Sequence, residues 1–157
     1  MPGSDAWQEW SRGPYCVTTA LNALDLDIVH GFLSTTTWAA GLSRTALMRA
    51  VSHSLCFSLL EDRVQIGFAR VITDYATYAY LCDVYVAEAH RGQGLGRWMM
   101  LCVLDHNILR RLKRISLLTH DAETFYRELG FEAAKHGTVY LERLQSSWSR
   151  QELTHEP

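Results

Sequence analysis

Charge of either sign is not in excess in this chain. Fifteen basic and seventeen acidic side chains leave a formal net charge of −2 with histidine neutral. Bulk electrostatics therefore offers a polyanion little to hold, and no basic stripe with interleaved aromatics makes a nucleic-acid surface. Proline is scarce: Pro2, Pro14 and Pro157 lie near the termini, so no proline breaks the interior. The four cysteines, Cys16, Cys56, Cys82 and Cys102, lie far apart without paired spacing. That pattern argues against a disulfide framework and for buried free thiols in a reducing compartment. Seven histidines show no His-x-x-x-His spacing, so no metal is expected. Long apolar runs are missing as well. The run from Trp98 to Leu104 falls far short of the roughly 20 residues that cross a bilayer. Met1 to Arg12 carries Asp5, Glu9 and two tryptophans but no hydrophobic signal core. The expectation is a cytoplasmic protein with no membrane partner.

What is present is ordinary globular composition over 157 residues, with 48% hydrophobic side chains. No repeat, linker or low-complexity block divides the chain. We therefore expect one domain over 1–157, with a core at about 15–144 and a polar tail at 146–157. Tyr15 to Ala20 has strand chemistry. Asp25 to Leu33 and Arg44 to His53 read as helices, the second with Ser43 as N-cap. The period then changes to two over Leu55 to Leu60, Val64 to Thr73 and Tyr78 to Val86, three strands in an antiparallel meander. A helix from Gly94 to Leu112 follows, with the basic run Arg110 to Arg114 complementing its C-terminal dipole. Arg114 to Thr119 reads as a strand, and Asp121 to Leu129 as a helix ended by Gly130. Phe131 to Leu144 reads as a closing pair of strands.

One stretch stands apart: Arg91-Gly92-Gln93-Gly94-Leu95-Gly96-Arg97, at the junction of a strand and a helix. Glycine permits positive φ and close approach of a ligand to the backbone. The amides of such a turn and of the first helical residues converge on an anion. A P-loop would need Lys-Ser/Thr after its last glycine, and here Arg97-Trp98 follow Gly96. A dinucleotide fingerprint starting at Gly92 would need glycine or alanine at Arg97. Started at Gly94, it would need glycine at Met99. Both are excluded, and a phosphate or pyrophosphate remains as the ligand class.

Arg-x-x-Gly-x-Gly after a strand resembles the acyl-CoA pyrophosphate loop of the GNAT superfamily of N-acetyltransferases. The patch Asp121 to Phe131, with Tyr126-x-x-x-Gly130-Phe131, resembles the last helix of the same family. The segment from Gly67 to Val86 looks like that of a group of small bacterial GNAT proteins. The resemblance implies an α/β (α+β) fold: a mixed, mostly antiparallel sheet of six to seven strands flanked by about four helices, splayed at the cofactor site. It implies acetyl-CoA as cosubstrate, bound at Arg91, Gly92, Gln93, Gly94, Leu95, Gly96 and Arg97. The pantetheine arm would lie along the main chain of Val84, Tyr85 and Val86, one of whose amides would face the acetyl carbonyl. Thr119 occupies the place where the family often has an asparagine that contacts the cofactor arm.

Direct transfer from a thioester to an amine needs a held cofactor, a neutral amine and a proton for the departing thiolate. Tyr126 is the candidate general acid, since a phenol with an ordinary pKa near ~10 can protonate a thiolate; the alternative is a packing tyrosine. The family often places a catalytic glutamate near Tyr80, and this chain has none there. Strand alternation puts Tyr80, Cys82, Val84 and Val86 on one face and Leu81, Asp83 and Tyr85 on the other. Asp83 is a candidate base or amine-binding anion, a satisfied structural carboxylate is equally compatible, and relay through water is a third route. Substrate contacts are expected from Trp38, Tyr75 and Tyr78, aromatic groups suited to a small-molecule or peptide amine. The resemblance leaves a homodimer open, with Trp7, Trp10 and Trp148 marking an interface or terminal packing.

Overall fold

The computed structural model describes residues 7–145; Trp148 and the polar tail lie outside them. Six strands form one sheet in chain order, β1 (Glu9–Arg12), β2 (Tyr15–Thr18), β3 (Leu55–Glu61), β4 (Val64–Thr73), β5 (Tyr78–Val86) and β6 (Arg114–Ser116). All neighbours are antiparallel except β5 and β6. Four α-helices, α1 (Leu26–Leu33), α2 (Arg44–Ser52), α3 (Leu95–Asp105) and α4 (Glu123–Glu128), accompany the sheet.

Local chemistry explains the first two helices. The Asp25 carboxylate accepts from the amides of Asp27 and Ile28 at 3.1 and 3.0 Å. Ser43 Oγ accepts from the Ala46 amide at 3.1 Å. Each cap satisfies amides that a helix start otherwise leaves unpaired. Val29 with Leu33, and Leu47 with Val51, sit four residues apart and are buried, giving each helix one apolar stripe. These stripes join Cys56, Phe68 and Tyr85 in a core on one face of the sheet. On the other face Phe57, Leu59, Val71 and Leu81 pack with Leu95, Met99, Met100 and Val103 of α3.

Several expectations are corrected. The long helix stops at Asp105, not Leu112. Asp105 Oδ2 accepts from Trp10 Nε1 at 3.0 Å, the Asn107 amide donates to Gln8 Oε1 at 2.9 Å, and His106 is buried against Phe57 and Trp10. Tertiary capture by the N-terminal hairpin overrides helix propensity there. Arg110 and Arg111 lie in a separate 3-10 turn, Leu109–Arg111, and so do not complement the dipole of α3. Trp10, expected at the surface, is half-buried against the core, while Trp7 is exposed. The Arg114 strand is three residues long. No strand forms over 131–145, where Val139, Tyr140, Leu141 and Leu144 are exposed. The strand β1, absent from the sequence reading, is polar but pairs with β2 through the Gly13-Pro14 turn, where Gly13 has φ 58°.

Burial of the four thiols makes stability pH-dependent. Desolvation raises Cys16 to about 11 and Cys56, Cys82 and Cys102 to about 12. A thiol whose folded pKa is raised contributes fully below its unfolded value, near ~8.5, and loses that contribution as pH rises toward the folded value. Thermal unfolding followed by circular dichroism is expected to give a steady midpoint below about pH 8. The midpoint should fall continuously from there toward pH 11. A flat profile across that range would show that the thiols are already accessible in the folded state.

Candidate active site

The glycine-rich stretch sits where β5 gives way to α3. Gly92 and Gly94 have φ of 75° and 74°, a left-handed conformation that side-chain-bearing residues adopt only at a cost. Gly94 is the N-cap of α3, and no side chain caps it. The first intrahelical bond runs from the Trp98 amide to Gly94 O at 3.0 Å, so the Leu95, Gly96 and Arg97 amides lack intrahelical acceptors. Gly96 needs no special φ; a Cβ there would meet Val86 Cγ2 at 3.6 Å, an ordinary contact.

These groups line a hollow of about 340 Å³, together with Val86, His90 and Phe125. Arg91 Nε donates to Val86 O at 2.9 Å, which pins the loop to the end of β5 and leaves the outer guanidinium nitrogens for an anion. Arg97 meets Glu128 only at 3.9 Å in a half-exposed pair, a contact worth little and easily exchanged. Gln93 Oε1 accepts from Tyr15 OH at 3.2 Å. His90 and Phe125 were not singled out by the sequence. His90 Nε2 lies 2.7 Å from Glu61 Oε2, and Phe125 is the neighbour of Tyr126 that turns toward the loop.

Beside this hollow the sheet opens. The pairing of β5 with β6 covers Tyr78, Ala79 and Tyr80 only, against Arg114, Ile115 and Ser116. From Leu81 to Val86, no strand among the described residues pairs with β5 on that side. The Ala87 amide bonds back to Ile66 O at 2.7 Å. Main-chain groups alternate along a strand, so those of Val86 and Val84 face the open edge, and Val86 O indeed meets Arg91 there.

The expected alternation of β5 does not hold through the strand. Phe68 pairs with Tyr85, but Arg70 pairs with Cys82, so Asp83 and Val84 together oppose Ala69. This is a β-bulge, and Asp83 adopts φ 52°. Side-chain directions switch there: Leu81, Val84 and Val86 pack on the α3 face, while Tyr85 joins the α1 and α2 face. Tyr85 stacks on Phe32 at a centroid distance of 3.7 Å, and burial pushes its phenol well above the usual range.

Asp83 Oδ2 accepts from Arg70 Nε at 2.7 Å, with both side chains largely buried. Asp83, a candidate base or amine-binding anion with a structural carboxylate equally compatible, is thus held by a guanidinium, as the structural alternative requires. Tyr80, Tyr78 and Tyr75 gather at the opposite end of β5 from the loop; Tyr78 and Tyr75 are exposed. Burial raises the phenol of Tyr80, with Cys82, Tyr140 and Tyr78 contributing. Six residues at about 3.3 Å rise put Tyr80 roughly 20 Å from Val86 along the strand. Trp38 is exposed in the connection between α1 and α2.

Tyr126 owes its place to a helix stop. Gly130 has φ 92°, its amide bonds to Arg127 O at 3.0 Å, and the Phe131 amide bonds to Tyr126 O at 3.1 Å. That pair of bonds is a Schellman motif, and the Phe131 ring packs on Tyr126 at 5.8 Å as the motif's hydrophobic contact. The Tyr-x-x-x-Gly-Phe spacing therefore has a mechanical meaning. Tyr126 is half-buried, burial raises its phenol, and its hydroxyl takes no partner among the described residues. Thr119 Oγ1 accepts from the Ala122 amide at 3.1 Å, at the start of α4. A Cβ at position 130 meets nothing within 4 Å, so Gly130→Ala is expected to cost roughly 1–2 kcal/mol from the dihedral alone. Urea unfolding checks this, and an unchanged midpoint would mean that the stop is held by Phe131.

The GNAT acetyltransferase domain family matches residues 52–133. The chain belongs to the GNAT family. A Gibberella zeae protein provisionally named an acetyltransferase is 35% identical over 148 residues, covering 80% of this chain and 83% of that protein. A crystal structure from Xanthomonas campestris, provisionally assigned to the same family, is 41% identical with a TM-score of 0.80. It covers 83% of this chain and 93% of its own. A Clostridium acetobutylicum acetyltransferase structure with acetyl-CoA shares the fold at 14% identity and a TM-score of 0.58, over 87% of this chain and 95% of its own. The six-stranded mixed sheet with four helices is thus a GNAT fold, and this GNAT chain carries its glycine loop in the matched region. Among the described residues no helix is long and apolar enough to cross a membrane, and no group of side chains could hold a metal ion.

Proposed function

We propose that this GNAT protein moves an acetyl group from acetyl-CoA to a primary amine of a small molecule or peptide, by direct attack in a ternary complex. The carrying observation is the continuity of an anion-binding loop with an open strand edge. Pyrophosphate fits the amides of Leu95 to Arg97 between Arg91 and Arg97, and the peptide-like arm fits the unpaired edge of β5. The thioester would then lie near the bulge, toward the tyrosines at the far end. In this reading Tyr126 protonates the departing thiolate and water relays the proton from the amine. Asp83, tied to Arg70, takes no proton in this reading. Trp38, Tyr75 and Tyr78, all exposed aromatic groups, would receive the amine in this reading, and the cytoplasm would supply the acetyl-CoA.

Calorimetric titration with acetyl-CoA tests the first half. Absence of heat at high micromolar cofactor would sink it. Release of thiol across an amine panel tests the second. A specific observation also favours another reading, a module that binds acyl-CoA without turnover: no free carboxylate stands at Tyr80 or Asp83. Binding without thiol release from any amine would select that alternative.

A further inference from the structure

The bulge in β5 is built by Asp83 and Val84 opposite Ala69, and the reading above gives the Asp83 side chain no part in the reaction. Asp83 is a non-glycine residue with φ 52° inside a strand, a conformation that costs free energy and persists only when its surroundings enforce it. The side chain that holds the Asp83 carboxylate is Arg70. This residue stands in register between Cys56 on β3 and Cys82 on β4's other side. Burial pushes both thiols up to about 12, so they stay neutral and Asp83 carries the countercharge. Arg70 Nε bonds to Asp83 Oδ2 at 2.7 Å, and Arg70 Nη1 donates to Ser54 Oγ at 3.1 Å, tying the bulge to the turn between α2 and β3. A buried pair of this kind adds little net stability, yet losing one partner strands the other charge. Its usefulness lies in the geometry it fixes.

That geometry bears on the open edge. The bulge lies three residues beyond the last β5–β6 pair, Tyr80 with Ser116. It resets the alternation so that the main chain of Val84 and Val86 faces the cleft while the Tyr85 side chain is buried. We propose that the Arg70–Asp83 ion pair is a positioning device that holds the bulge so that the β5 main chain donates to the thioester carbonyl. The inference rests on the acyl-CoA reading above. Neither side chain touches the reacting atoms; both act through the backbone of Val84 to Val86.

The test reads the carbonyl directly and needs no acceptor. Acetyl-CoA labelled with 13C at the thioester carbonyl is bound to the full chain, and its stretching band is compared with that of the free cofactor. Calorimetry with CoA runs alongside. Wild type is expected to lower the carbonyl frequency. Asp83→Gly permits the same φ without the ion pair, and Asp83→Asn keeps the shape without the charge. Both are expected to lose at least about half of that displacement while CoA affinity stays within about threefold, because the loop is untouched. The double variant Arg70→Gln with Asp83→Asn replaces the ion pair by neutral amides, and is expected to recover most of the displacement. An unchanged displacement in both single variants overturns the proposal. So does parallel loss of CoA affinity, which would mark a merely structural pair. Failure of the double variant to recover overturns it too. If wild type binds acetyl-CoA without any displacement, the proposal falls and the acyl-CoA reading stands; if wild type binds neither cofactor, the reading itself falls.

Discussion

Tyr126→Phe is expected to lower turnover by about 10²- to 10⁴-fold, the usual worth of a positioned general acid, with CoA binding nearly unchanged. The substitution removes one oxygen. The ring contacts with Phe125 at 5.0 Å and Phe131 at 5.8 Å remain, and the hydroxyl makes no hydrogen bond among the described residues that folding would miss. Stability should therefore hold while chemistry fails. The pH profile adds a second signature. Burial raises the Tyr126 phenol, so the proton it must donate is kept through the ordinary tyrosine range and lost only above it. The basic limb of kcat should lie there in wild type and vanish from the residual activity of the variant. Thiol release with the best amine of a panel, measured from pH 6 to 11, gives both results. Unchanged turnover would make Tyr126 a packing residue and hand protonation of the thiolate to water.

Much of this site was legible because its signals are local. The alternation of Val64 to Thr73 and Tyr78 to Val86 gives both strands at the observed bounds. Gly92 and Gly94 of the loop mark positions where φ is positive, and Gly130 marks the end of α4. What escaped is set by contacts distant in sequence. The bulge is hidden in an evenly alternating run, and it needs Arg70, thirteen positions away, to become visible. The end of α3 depends on Gln8 and Trp10, almost a hundred residues earlier. Phe125 was passed over because the pattern names its neighbour, although only the structure shows which of the two rings lines the hollow. Thr119, expected to contact the cofactor arm, has its oxygen already engaged with the start of α4. Local patterns thus locate the glycine loop, whereas the bulge and the helix ends around it come from long-range pairing.

The three loop glycines should respond unequally, and the ranking separates two reasons for having glycine there. Gly94→Ala puts a side chain at φ 74°, which costs roughly 1–2 kcal/mol. The Cβ meets no protein atom within 4 Å, so relief can come only by moving the backbone. Moving it turns the Leu95, Gly96 and Arg97 amides away from a common point. Since each 1.4 kcal/mol is about tenfold in affinity, Gly94→Ala is expected to weaken CoA about tenfold or more, and Gly92→Ala at φ 75° similarly. Gly96→Ala is the control. Its φ is ordinary and its Cβ would rest at 3.6 Å from Val86 Cγ2, so if conformation alone matters, affinity should stay within about threefold. Calorimetry on the three variants, each checked for an unchanged far-ultraviolet spectrum, decides between the reasons. Should Gly96→Ala lose as much as Gly94→Ala, the glycines are there for close approach of the pyrophosphate rather than for positive φ. Equal retention in all three would remove the loop from the cofactor site.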